Sequence, residues 1–358
     1  MFASTLLKWF QENGRDLPWR QTRDPYAIWL SEIILQQTQV KQGWDYWLRF
    51  MRRWPIVADL AAATEDEVLR QWQGLGYYSR ARNLHAAAKQ VVAAGGFPTT
   101  IEGLRALKGV GDYTAAAIGS FAFGLPAAVV DGNVYRVLSR YYGIATPINT
   151  TEGKHEFAAL AQELLPTNSQ QPTANSQQPI SDYNQAIMDF GATQCTPTSP
   201  RCHQCPLAES CVALREDRIG ELPVKLRTLK VKERRLTYIY IRCQGMTAIH
   251  RREAGDIWQG LYEPFIEERE ERREERKKRR EERGERKEER ELCGAILLRR
   301  NVKHVLTHRV IYADFYLLET DERPALPDGY FWVREEDVAD YGVPRLVEKL
   351  LEEIHKRK

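Results

Sequence analysis

The stretch PYAIWLSEIILQQTQV, residues 25–40, sets apolar side chains at helical spacing behind a proline suited to a first helical turn. EDEVLRQWQGLGYY predicts a second helix stopped by Gly74 and Gly76, and RARNLHAAAKQVVAAGG a third closed by glycines. TIEGLRALKGVGDYTAAAIGSFAF reads as helix, tight glycine turn, helix. Residues 1–215 are therefore predicted to form an all-α domain. Residues 216–232 are polar and read as a linker. Beyond them the period shortens: LTYIYIRC (236–243) and ADFYLLE (313–319) are β-rich. VPRLVEKLLEEIHKRK then closes the chain as an amphipathic helix. Residues 233–358 are accordingly predicted to be a smaller α+β domain.

Two segments break the pattern. TNSQQPTANSQQP, residues 167–179, repeats NSQQP and is expected to be a surface loop. Residues 267–291 hold twelve Glu, twelve Arg or Lys and one Gly, a balance that fits either an exposed helix with i,i+4 pairs or disorder. REERGE within that run resembles a Nudix pyrophosphatase box, but its spacing from Gly260 does not fit, so no function is assigned to it.

Composition adds exclusions. At 43% hydrophobic and 28% charged the 358 residues make an ordinary globular mix, long enough for two cores. No stretch approaches the roughly 18 uninterrupted apolar residues of a membrane span. The N-terminal MFASTLLKWFQENGRDLPW carries Lys8 among its apolar residues, then Asn, Gly and Asp, and reads as a short helix rather than a signal peptide. A cytoplasmic, reducing compartment is expected, or a nucleoid-associated place in a bacterium. The net charge of +3 does not by itself demand a nucleic-acid partner, although Arg49, Arg52 and Arg53, and Arg80 and Arg82, are grouped.

The strongest chemical signal is Cys195-x6-Cys202-x2-Cys205-x5-Cys211. Four thiolates suit zinc or a [4Fe–4S] cluster. Zinc sites usually show two tight cysteine pairs, and only one pair here is tight, so the spacing wraps a cubane better. A cluster with four cysteine ligands has no open position, which places the chemistry elsewhere. Cys243 and Cys293 lie far off and are read as ordinary cysteines.

LKGVGDYTAAAIG, residues 107–119, puts Gly109 and Gly111 around a turn that opens a helix near Asp112. Such a turn lets backbone N–H groups approach a phosphate, although it also serves as a plain helix connection. Asp131 follows an apolar run in VVDGNVYRVLSR and has the place of a helix cap. Glu32 sits inside the apolar WLSEIILQQ. A buried carboxyl there keeps its proton to higher pH, as a general acid requires.

The hairpin, the later Asp and the four cysteines, in this order, resemble the endonuclease III superfamily of helix–hairpin–helix DNA glycosylases. SEIILQQTQV, GLGYYSRARNL and NQAIMDFGA narrow the resemblance to the adenine DNA glycosylase (MutY) family. It covers residues 1–215 almost continuously. The resemblance implies a helix–hairpin–helix domain with a [4Fe–4S] loop at 195–211, followed by a Nudix-like 8-oxoguanine recognition domain. It implies hydrolysis of the N-glycosidic bond of adenine mispaired with 8-oxoguanine or guanine in double-stranded DNA, by a monomeric enzyme. Glu32 then protonates adenine N7, and Asp131 stabilises the oxocarbenium-like sugar, directly or through a covalent intermediate. Tyr113 and Asn133 support Asp131 and the sugar. Tyr113 also stands where lyase members carry a catalytic lysine, so a monofunctional enzyme is expected. Lys108 occupies a hairpin position where the family usually has proline, and is not the lyase position. Arg20 and Asp189 are expected to line the adenine pocket. Gln37 and Tyr77 are expected to wedge into the duplex beside the opposite base. Arg201 is placed to touch phosphate. GDIWQGLYEPF and NVKHVLTHRVIYADFYLLE resemble the family's second domain, with Leu306-Thr307-His308 in the loop that meets 8-oxoguanine, where Phe-Ser-His is commoner.

Two other readings stay open on sequence. A thymine-mismatch glycosylase of the same superfamily can also lack the lysine, but the second domain argues against it. A non-catalytic iron–sulfur DNA-binding protein would not need both Glu32 and Asp131.

Overall fold

The computed structural model describes residues 2–166, 179–226, 231–268 and 294–357. The repeat at 167–178, Cys293 and all but the first two residues of the charged run lie outside the described residues. The chain gathers into two units. One comprises residues 1–62 and 83–227, the other residues 63–82 and 228–358. Residues 63–82 thus belong in sequence to the run of helices and in space to the second unit.

The first unit is helical: α1 (Phe2–Asn13), α2 (Pro25–Leu35), α3 (Val40–Arg53), α4 (Val57–Ala62), most of α6 (Ser79–Ala93), α7 (Ile101–Arg105), α8 (Asp112–Phe123), α9 (Gly132–Tyr142), α10 (Thr151–Glu163), α11 (Pro179–Asp189) and α12 (Val212–Arg215). Its core gathers Leu6, Val134, Leu138, Phe157, Ala186 and Phe190. α2 packs on α8, and α11 on α1 and α9. α2 starts where Asp24 caps the Tyr26 N–H and Pro25 takes the first turn. It ends at Leu35, short of the expected Val40, because Gln37 adopts a left-handed φ of 55°. The hairpin falls between α7 and α8 as expected. Gly109 has φ 76°, and a Cβ there would lie 2.7 Å from the Asn83 Cβ, so no other residue fits the turn.

In the second unit, α5 (Glu65–Trp72) joins a six-stranded sheet: β1 (Lys232–Cys243), β2 (Met246–Arg251), β3 (Tyr262–Glu268), β4 (Ile296–Val305), β5 (Arg309–Glu319) and β6 (Tyr330–Arg334). The order is β4-β5-β1-β3-β2-β6. β1 and β5 run parallel, with Tyr238 opposite Phe315, and the other pairs are antiparallel. β1 and β2 join through Gln244 and Gly245, at φ 49° and 75°, the positive pair that a tight hairpin favours. α13 (Arg345–His355) buries Leu346, Val347, Leu350 and Ile354 in the core that covers one sheet face. This is the expected α+β architecture. No helix among the described residues is long and apolar enough to cross a membrane.

Candidate active site

α2, α8 and α9 converge on an open cavity of about 1060 Å³ in the first unit. Glu32, Tyr113, Asp131, Asn133 and Arg20 all line it. Glu32 sits in a helix that is buried from Tyr26 to Ile34, and only 7% of its surface is exposed. That burial pushes its carboxyl up to about 7, and the nearby Asp131 charge adds to the rise. The Tyr113 hydroxyl donates to Glu32 Oε2 at 2.7 Å and, with Arg20, partly offsets it.

Asp131 caps α9, as its place in the sequence suggested. Oδ1 accepts from the backbone N–H groups of Asn133 and Val134, both at 2.8 Å. The Asn133 side-chain amide donates to Oδ2 at 2.8 Å. Burial raises this carboxyl too, but the three donors and the Arg136 charge work against the rise. The result is two neighbouring carboxyl groups in unlike surroundings, one with a single donor and one with three.

Asn133 is fixed in turn. Arg136 Nη2 donates to its Oδ1 at 2.9 Å, and a Cβ on Gly191 would come within 2.6 Å of the Asn133 Cβ. Gly191 belongs to a π-helical turn, Phe190–Gln194, that follows α11. Arg136 also donates to the carbonyls of Gly191 and of Cys195, the latter at 2.7 Å. The sequence reading passed over Arg136. Its signal was a charged residue three after Asn133 and one before the buried Val137, on a helix face that turns inward.

Arg20 and Asp189 occupy different layers. Arg20 faces the cavity, whereas Asp189 is fully buried and grips Arg20 with Nη1–Oδ2 and Nη2–Oδ1 both at 2.7 Å. A second guanidinium, Arg15, bonds the same carboxylate through Nε at 2.9 Å. These bonds hold the Asp189 carboxyl below its usual range although burial works the other way. Arg15 lines the cavity and was also missed; it stands five residues before Arg20 around the LPW turn. Gln37 and Gln185 line the same cavity.

Residues Tyr77, Thr307 and His308 belong to the second unit. Tyr77 is 45% exposed at a left-handed φ of 47°, and its hydroxyl hydrogen-bonds the Thr307 hydroxyl. His308 supplies a carbonyl oxygen to the Lys232 N–H at 3.0 Å. Thr307 and His308 form the turn between β4 and β5.

The four cysteines line one pocket with Val137, Arg140 and Leu207. Arg140 Nη1 donates to Cys195 Sγ at 3.5 Å, and the same guanidinium binds the carbonyls of Thr196, Pro197 and Leu222. Among the described residues no three His, Cys, Asp or Glu side chains converge to hold a single metal ion. Four thiols around a common space, with the Arg140 guanidinium on the first of them, suit a polynuclear iron–sulfur cluster. Arg201 is exposed in the loop between Cys195 and Cys202.

Comparison with known proteins agrees with this geometry. The family model described as HhH-GPD superfamily base excision DNA repair protein matches residues 30–166. An iron–sulfur binding domain of endonuclease III matches residues 195–211, and a NUDIX domain matches 237–353. The cofactor of the cysteine loop is a [4Fe–4S] cluster. A mouse adenine DNA glycosylase is 44% identical over 62% of this chain, which spans 43% of that protein's length. One from Buchnera aphidicola subsp. Schizaphis graminum is 31% identical over 73% of this chain and 74% of its own. A solved thermostable thymine-DNA glycosylase is 31% identical with a TM-score of 0.53, over 60% of this chain and 95% of that one. With a relative 31% identical and covered over 74% of its length, and a matching base excision repair model, the chain belongs to the adenine DNA glycosylase family, within the helix–hairpin–helix superfamily.

Proposed function

We propose that the chain removes adenine mispaired with 8-oxoguanine or guanine from double-stranded DNA, hydrolysing the N-glycosidic bond without cutting the strand. The observation that carries this reading is the pair of unlike carboxyl groups on one cavity. Glu32, held near pH 7, keeps a proton to give at neutrality. Asp131, with three donors on its oxygens, is the group suited to remain an anion.

In this reading the flipped adenine receives the Glu32 proton on N7. The C1′–N9 bond breaks with its electron pair leaving on the base. The positive charge that grows on C1′ and the ring oxygen is stabilised by the Asp131 carboxylate, which Asn133 and the α9 N-terminus orient. Water adds to C1′ and returns a proton to Glu32, leaving free adenine and an abasic site. Tyr113, at the position of the lyase lysine, offers no amine for a Schiff base and instead holds Glu32. Bound by Cys195, Cys202, Cys205 and Cys211, the cluster supplies a rigid charged strut rather than a Lewis acid. Gly109, Gly111 and the start of α8 are assigned to a DNA phosphate. Gln37 and Tyr77 are assigned to the duplex beside the opposite base, and Thr307 and His308 to the edge of 8-oxoguanine. Arg20, braced by Asp189, faces the extruded adenine.

The likeness to a thymine-DNA glycosylase supports a second reading, thymine excision from mismatches. A single-turnover assay separates the two. A duplex with adenine opposite 8-oxoguanine and one with thymine opposite guanine are each incubated with the protein, then treated with or without alkali. Strand breaks in the adenine duplex only after alkali are expected. Breaks without alkali would mean lyase chemistry, and breaks confined to the thymine duplex would establish the second reading.

A further inference from the structure

The turn that presents Tyr77 rests on a stack. Trp72, fully buried at the end of α5, donates its indole N–H to the Gly76 carbonyl at 2.9 Å. The Arg80 guanidinium lies 5.1 Å from the Trp72 ring centroid and 5.5 Å from that of Tyr77. Its Nη2 reaches the same Gly76 carbonyl at 3.4 Å, and its backbone N–H bonds the Tyr77 carbonyl at 2.9 Å. Burial lowers the guanidinium pKa to about 10, a sign of poor solvation, where attraction to an aromatic face is strongest. Tyr77 itself combines high exposure with a backbone conformation that side chains disfavour. A ring so exposed keeps one orientation only if something holds it from behind.

We infer that Arg80 is a positioning residue, a cation stacked between Trp72 and Tyr77 that holds the Tyr77 ring ready to enter the duplex. The inference rests on the reading of Tyr77 as the residue inserted beside the opposite base. The ring is held at both ends, by Arg80 on its face and Thr307 at its hydroxyl. The order is then present before DNA arrives, which removes part of the entropy lost on binding.

A double-mutant cycle in the full chain tests it. Single-turnover excision from a duplex with adenine opposite 8-oxoguanine is measured for Arg80→Met, Tyr77→Ala and the double variant, each checked by thermal unfolding. A desolvated cation–π contact predicts a roughly 2- to 30-fold slower rate for Arg80→Met. In the Tyr77→Ala background the same substitution is expected to change the rate less than about 2-fold. Arg80→Lys, which keeps the charge and loses the planar stack, is expected to recover part of the loss. It replaces Arg80→Met in the cycle if that variant does not fold. Equal losses in both backgrounds would overturn the inference and assign Arg80 to a phosphate contact or to folding. If Tyr77→Ala alone leaves rate and binding intact, the Tyr77 reading fails. A loss on Arg80→Met would then have a different origin.

Discussion

Glu32→Gln removes one titrating proton while keeping the side chain's length and its ability to accept from the Tyr113 hydroxyl. The Glu32 carboxyl rises from 4.5 to about 7 on folding. At about 1.4 kcal/mol per pH unit, that shift is worth about 3 kcal/mol. The sign follows from proton counting. Between the two values the folded chain holds a proton that the unfolded chain has released, so stability falls as pH rises across the window. The full cost is present above pH 7 and absent below the unfolded value. Glutamine does not titrate and avoids this cost. The variant is therefore expected to match the parent at about pH 4.5 and to exceed it by up to about 3 kcal/mol at about pH 8. Denaturant unfolding of both proteins, followed by circular dichroism across this range, measures the difference. A gap that stays constant with pH would refute a buried, proton-holding Glu32. The same variant is expected to bind the adenine duplex and excise nothing. The parent's single-turnover rate should fall above pH 7 as one proton is lost.

Three further outcomes follow from named contacts. Tyr113→Phe deletes the donor that lowers the Glu32 carboxyl, so the alkaline limb of the rate profile should move to higher pH; a limb that stays in place would show that the hydroxyl does not tune Glu32. Gly191→Ala drives a methyl into Asn133, and should cost about 1–3 kcal/mol of stability together with most of the excision rate. Normal single-turnover kinetics in that variant would mean that Asn133 is not needed on Asp131. Thr307→Ala removes a hydroxyl that bonds Tyr77, and is expected to weaken the preference for 8-oxoguanine over guanine opposite adenine; an unchanged ratio of rates would move recognition to other residues.

The features legible in the sequence were those written in local spacing. A lone Glu in an apolar helix, an Asp where a helix begins and four cysteines in a seventeen-residue window each signal their surroundings within a few positions. Glu32 and Asp131 accordingly meet on one cavity, and the cysteines line one pocket. Pairings across long separations left no such mark. Asp189 lies 174 residues from Arg15, and nothing local says that two guanidinium groups converge on one carboxylate. The end of α2 was missed because Gln37, with no glycine to flag it, adopts a left-handed turn. Residues 63–82 read as one more helix of a helical domain. Their partners, such as Arg251 for Glu65 and Glu348 for Gln73, lie 186 and 275 residues on, where amphipathic spacing gives no information.

Arg136 and Arg140 sit one turn apart on α9, and between them their guanidinium groups take up the carbonyls of Gly191, Cys195, Thr196, Pro197 and Leu222. The chain on both sides of the first cysteine is therefore moored by side chains of α9. Fixing a residue's backbone costs about 1–2 kcal/mol, and here that cost is met during folding. The cysteine loop is thus tied to one helix on both of its flanks, through residues 191–197 before the loop closes and through Leu222 after it, so a change at Arg140 reaches both ends of the loop at once.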